Sequence, residues 1–284
     1  MIIINYVLEI IALFSSAISF LISVFTLILI FIYIRPLTSN IPILLTCNTY
    51  ITMIGSSLMA LIVMTYSMYD DIRPNISFDD YYCQLRAYFF HVFICAFYYS
   101  CDLQAMFRLL RVVFPKRKAL LSRSIFIIGI FIQWFIPVLY ILVYLLLGNF
   151  EYHPEISACS LSFKNIPALS IGILLIYATP LMIMSLIYFS IIRYIRLPIQ
   201  TQQIRQQSNK RDLLVVKRMI ILLLIATSIG IPTAVILIIY VITGYLTPSA
   251  YQVQVLGITT GLILQSIALG LINPKVRKLF NENS

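Results

Sequence analysis

A chain of 284 residues that is 61% hydrophobic and 11% charged lacks the charged helix faces that a water-soluble domain of this length needs. The net charge of +10 comes from basic residues that sit between long apolar runs, which makes it a membrane-topology signal that says nothing about nucleic acid, and no nucleic-acid partner is expected. No His, Cys or carboxylate cluster has metal-ligand spacing, and no Gly-rich phosphate loop or nucleophile–base set occurs, so no enzyme, cofactor or metal is expected.

Seven apolar runs are predicted as spans at roughly 7–34, 42–68, 84–107, 124–147, 166–192, 219–243 and 249–273. Each supplies the ~20 residues an α-helix needs to cross ~30 Å of hydrocarbon. The first run has no preceding basic residue and is longer than the ~7–15 residues of a signal-peptide core, so it is expected as a retained helix. After the second run comes an acidic segment, Asp70, Asp71, Asp79 and Asp80, which would favour a cationic ligand or be a solvated loop and no more. It also holds Asn75-Ile76-Ser77, a glycosylation sequon. Cys83 precedes the third run and Cys159 lies in the 148–165 loop, while Cys47, Cys95 and Cys101 fall inside spans, where thiols behave as small hydrophobes.

The third run carries Phe90, His91, Ile94, Asp102 and, at its far end, Arg108. Asp102 is read as the acid inside the membrane, with Glu9 assigned to the outer side. An intramembrane carboxylate marks a function or a structural hydrogen bond. It lies about 240° around the helix from Arg108, so the two do not pair. Its expected partners are Asn273, Gln265 and Ser266. Arg108 is either a snorkelling anchor or a functional cation. Pro180, Pro232 and Pro274 fall in the last three spans, as static kinks or as weak points where a backbone hydrogen bond is missing. The basic 193–218 segment is expected to extend the helices on either side of it.

All but Arg73, Arg86 and Lys164 of the 20 Lys and Arg fall after runs one, three and five or in the tail. Basic loops stay in the cytoplasm, so the amino terminus is expected outside and the carboxyl terminus inside. Cys83 and Cys159 are then the cysteines on the oxidising side, expected as a disulfide, the alternative being two unpaired thiols. The expectation is an all-α, single-domain seven-helix transmembrane bundle over residues 1–284, with a short amphipathic tail at 274–280.

Further motifs fall in an order that carries a resemblance. Arg108 stands twenty-five residues after Cys83; Trp134 is mid-span four; Tyr188 follows Pro180 by eight; Pro232 is mid-span six; Asn273-Pro274 closes span seven. In this the chain resembles the rhodopsin-like (class A) G-protein-coupled receptors. The resemblance implies a plasma-membrane receptor, multi-pass in membrane lipid, with an extracellular ligand and a heterotrimeric G protein as partners. It implies a switch built on Arg108, Tyr188, Pro232, Asn273 and Pro274, with Arg108 bonding G-protein carbonyls and Tyr188 closing over it. Ligand contacts would come from Phe90, His91, Ile94, Tyr177 and Tyr251. Aminergic members carry Asp where Phe90 stands, so a peptide is expected rather than a biogenic amine. His91 and Arg108 have plainer structural alternatives.

The chain also departs from the family pattern. Phe107 replaces the acid before the key arginine, Gly230 replaces the aromatic two residues before Pro232, Arg277 replaces a tyrosine, and span two has no Asp. With Lys217 and Arg218 at the inner end of span six, no carboxylate is expected to restrain Arg108. Two other classes remain as alternatives: a transporter or scramblase using Asp102, Gln104 and Gln133 as a polar path, and a receptor-like scaffold that no longer couples.

Overall fold

The computed structural model describes residues 2–33, 40–72, 81–153, 158–161, 165–196, 205–244 and 250–272. Among them are α1 (Ile2–Tyr33), α2 (Ile41–Ile72), α3 (Tyr81–Val113), α4 (Arg123–Leu146), β1 (Phe150–His153) and β2 (Ala158–Leu161). Then follow α5, α6 (Arg205–Thr243) and α7 (Ala250–Ile272). Here α5 comprises Ile166–Ile173, a π-helical turn Leu174–Ala178, and Thr179–Arg196. Asn75, Asn273, Pro274 and the tail 274–280 lie outside the described residues.

Among the described residues, α1, α2, α4, α5, α6 and α7 are long and apolar enough to cross a membrane. By the same measure α3 is not, because its length carries Arg86, His91, Asp102, Gln104, Arg108 and Arg111. Its place in the bundle resolves this. It packs against α2, α4 and α5, with lesser contact to α6, so neighbouring helices rather than lipid bury His91, Asp102 and Gln104, while Arg111 near its end is exposed. The helices also run past the apolar stretches, α3 to Val113 and α6 from Arg205, because backbone hydrogen bonding does not stop where apolar composition does.

The surface is inverted relative to a soluble protein. Leu21 of α1, Phe131 of α4 and Phe189 of α5 are each more than 60% exposed, whereas Ser16, Ser19 and Ser23 of α1 are fully buried. With lipid outside as apolar as leucine, helices associate through small residues and hydrogen bonds. Accordingly Ser57 donates to Ser19 at 2.9 Å, Ser23 and Ser266 share a bond of 3.0 Å, and the Tyr50 hydroxyl donates to the Ser266 carbonyl at 3.1 Å. These bonds join α1, α2 and α7. A second set joins α2, α3 and α4: Asn48 Nδ2 donates to Gln133 Oε1 at 2.6 Å, Gln133 Nε2 to the Ala96 carbonyl at 2.8 Å, and Trp134 Nε1 to Asn48 Oδ1 at 3.0 Å.

On α7, Gly257 and Gly261 let α6 approach closely. A Cβ at Gly257 would lie 2.8 Å from Pro232 Cγ, and one at Gly261 would collide with Ile229. Gly261→Ala is therefore expected to destabilise the purified protein by ~1–3 kcal/mol despite alanine's better helix propensity. Thermal unfolding in detergent should give the double variant Gly261→Ala/Ile229→Ala a smaller loss than the two single losses added. Simple additivity would refute the contact.

Candidate functional site

Cavities lie toward both ends of the bundle. At one end Gly148, with φ +68°, turns the chain out of α4 and into a hairpin in which β1 pairs antiparallel with β2, Tyr152 opposite Cys159. Cys159 is disulfide-bonded to Cys83 in the first turns of α3, with Cα atoms 5.5 Å apart. On its other strand the hairpin reaches α7, where the Tyr251 hydroxyl lies 3.0 Å from His153 Nε2. The hairpin is thus tied to both α3 and α7 and roofs what lies beneath.

Beneath it is a cleft of about 540 Å³, part of it open to solvent, and Phe90, His91 and Tyr251 are among its lining residues. A smaller neighbouring cavity is lined by His91, Tyr177, Thr233 and Gln254. Four of the five expected ligand contacts therefore face these two spaces. Ile94 does not; it is 2% exposed and packed in the core. The reading of the acids needs correcting. Asp102 is not alone among the acids within the spans: Glu9, at the hairpin end of the bundle, is 3% exposed within α1, with Oε1 accepting from Ser67 of α2 at 3.0 Å, and it lines the larger pocket. Its place within the first apolar run, roughly 7–34, was the available signal.

Tyr177 owes its position to the π-helical turn. Pro180 has no N–H to give the Ile176 carbonyl, and the preceding turn widens so that the Thr179 N–H reaches Leu174 O. The Leu175 carbonyl then meets the Tyr99 hydroxyl at 3.4 Å. Tyr177 is turned inward, edge-on to Tyr98 with ring centroids 5.2 Å apart. A Cβ at Gly230 would lie 3.4 Å from the Tyr177 ring. The missing aromatic of α6 is thus replaced in space by a tyrosine of α5, a pairing that no spacing within either helix signals.

At the opposite end Arg108, half-buried on α3, interacts electrostatically with Tyr188 of α5, which is 5% exposed. Tyr188 also lines a cavity with Gln104, Leu222 and Gln265. Phe107, where an acid was absent, is packed edge-on against Phe126 of α4, with centroids 5.2 Å apart. Asp102 is 8% exposed, and among the described residues neither of its oxygens accepts a hydrogen bond. The expected cluster with α7 is not formed by Gln265 or Ser266: neither donates to an Asp102 oxygen, and Ser266 is engaged by Ser23 and by its own helix. Pro232 is half-buried against Gly257.

The family profile of the seven-transmembrane receptors (rhodopsin family) matches residues 45–276. The chain belongs to this family. No curated protein matches it. Members of the family are receptors rather than enzymes, and this rhodopsin-family receptor is a multi-pass membrane protein with a disulfide joining α3 to the hairpin.

The disulfide closes a long loop that includes all of α4, so its removal releases the roof of the pocket. The double variant Cys83→Ser/Cys159→Ser is expected to lower stability by ~2–4 kcal/mol. An unchanged thermal midpoint under non-reducing conditions would show that the hairpin is held without it.

Proposed function

We propose that this receptor is one domain in the plasma membrane, with its amino terminus outside, binding an extracellular ligand under the hairpin and engaging a heterotrimeric G protein at the other end. The observation that carries the proposal is the division of labour along α3. One end of that helix is disulfide-bonded to the roof of a pocket, and the other carries Arg108, which interacts electrostatically with Tyr188 of α5. The basic residues that flank the Arg108 end support a cytoplasmic assignment for it. Arg108 and Tyr188 would meet the G protein, and Pro232, Asn273 and Pro274 would let the inner halves of α6 and α7 move. Phe90 in place of an aminergic Asp favours a peptide over a biogenic amine. The polar path that a transporter would require is disfavoured, since Gln104 donates to Thr49 at 2.6 Å and Gln133 is bonded at both ends.

The test is nucleotide exchange on a purified G protein with the chain reconstituted in vesicles. Exchange above empty vesicles is expected, and Arg108→Ala should abolish most of it while leaving folding intact. Solute flux without exchange would favour transport, and neither would favour a scaffold.

Because Phe107 lies in an apolar cluster with Leu45 and Phe126, residue 107 supplies no carboxylate to hold Arg108 in an inactive state. Basal signalling above mock-transfected cells is expected at matched surface expression. A basal level equal to mock would contradict this.

A further inference from the structure

Away from the hairpin, toward the Arg108 end, α3, α5, α6 and α7 meet around a cavity of about 310 Å³, part of it open to solvent. Gln104, Met184, Tyr188, Leu222, Gln265 and Leu269 are among its lining residues. Most of this wall is apolar, and no Asp, Glu, Lys or Arg is among the described residues that form it. Its polar groups are largely spent elsewhere. Gln104 Nε2 donates to Thr49 at 2.6 Å, and the Ala226 carbonyl on the α6 wall accepts from Tyr98 at 3.0 Å. Gln265 is different. It is 1% exposed, and its Oε1 accepts no hydrogen bond among the described residues. Met184, Leu222 and Leu269 beside it have no strong side-chain donor, and Tyr188 and Cys101 on the same wall do not donate to it. A buried amide oxygen left in this way has lost its bond to water and gained nothing in return. The cavity therefore presents one open acceptor in an apolar chamber.

We propose that this cavity binds a compact apolar molecule carrying one hydroxyl or amide N–H, which donates to Gln265 Oε1. The site is separate from the cleft under the hairpin, and an occupant there touches four helices at once. Its apolar body packs against Met184, Leu222 and Leu269, and its donor supplies the bond that Gln265 lacks. A hydrocarbon of the same shape gains the packing and leaves the amide oxygen unpaired. On α6 the wall is made by Leu222, Leu223 and Ala226, all before Pro232, so the occupant bears on the segment of α6 nearest Tyr188. Bound there, it stabilises the packed arrangement of α3, α5, α6 and α7.

The experiment uses the full chain, purified in lipid nanodiscs, with benzyl alcohol and the near-isosteric ethylbenzene as probes. Apparent affinities come from the concentration dependence of the thermal midpoint. The alcohol should bind roughly fivefold to fiftyfold more tightly than the hydrocarbon. That preference should vanish in Gln265→Leu, which keeps the bulk and removes the acceptor, while ethylbenzene binds as before. Leu222→Phe, which narrows the same cavity and leaves Gln265 in place, should weaken both probes about tenfold. Location is read separately, on the unsubstituted chain, with a photoreactive diazirine derivative of benzyl alcohol. Its label should fall on wall residues such as Met184, Leu222 or Gln265 and be displaced by excess benzyl alcohol. This arm stands even where a substituted chain fails to fold. Equal affinity for the two probes in the unsubstituted chain overturns the proposal. So does a preference that survives in folded Gln265→Leu, or a label found only on lipid-facing residues. None of these readouts needs a G protein or an extracellular ligand. A chain that shows the Gln265-dependent preference yet drives no nucleotide exchange would refute coupling and leave this site standing.

Discussion

Lipid offers no hydrogen bonds, and this one constraint organises the whole bundle. Each polar side chain inside a span has to find its partner on a neighbouring helix or on its own backbone. Ser19, Ser23, Ser57 and Ser266 answer it at one seam, where small hydroxyl residues let α1, α2 and α7 approach. Asn48, Gln133 and Trp134 answer it at another and fasten α4 to α2 and α3. Even the distortion in α5 obeys it: the wide turn before Pro180 displaces the Leu175 carbonyl toward the Tyr99 hydroxyl. The helix least able to face lipid, α3, packs against α2, α4 and α5.

That central position is what lets α3 serve both ends. Its first turns are covalently joined to the hairpin, and its last turns carry Arg108, which interacts electrostatically with Tyr188. Between them, Tyr98 donates to the Ala226 carbonyl of α6 at 3.0 Å, one turn before Gly230. The pocket, the Tyr98–Tyr177–Gly230 contact and the Arg108 end therefore follow one another along a single helix. A shift of α6 at Pro232 would be felt by Tyr177 on one side and by Gly257 on the other. This contiguity gives a physical route between the ends, though spatial continuity by itself is not coupling.

The departures from the family pattern are compensated locally. Phe107 fills an apolar cluster with Leu45 and Phe126 where an acid would be stranded. Gly230 leaves room that Tyr177 occupies. Both exchanges keep the interior packed while changing which residue does the packing. Asp102 is the exception among the described residues, since its carboxylate accepts no hydrogen bond from the α7 partners expected for it. Removing a carboxylate from water without a compensating bond is costly, which makes Asp102 the most polar discontinuity in the interior.

The sequence by itself determined the family, the apolar helical bundle and the cysteines that pair. Those features are legible because bilayer thickness sets a length in residues, because charge sorts loops to sides, and because a family's spacing along one chain survives divergence. Only the tertiary structure decided that Glu9 lines a pocket, that Ser266 turns to Ser23 instead of Asp102, that Ile94 is core, and that Tyr177 replaces an aromatic on another helix. Each of these depends on the rotation of one helix about its axis relative to another. Composition within a uniformly apolar span carries almost no record of that angle, because lipid-facing and core-facing positions both call for apolar residues.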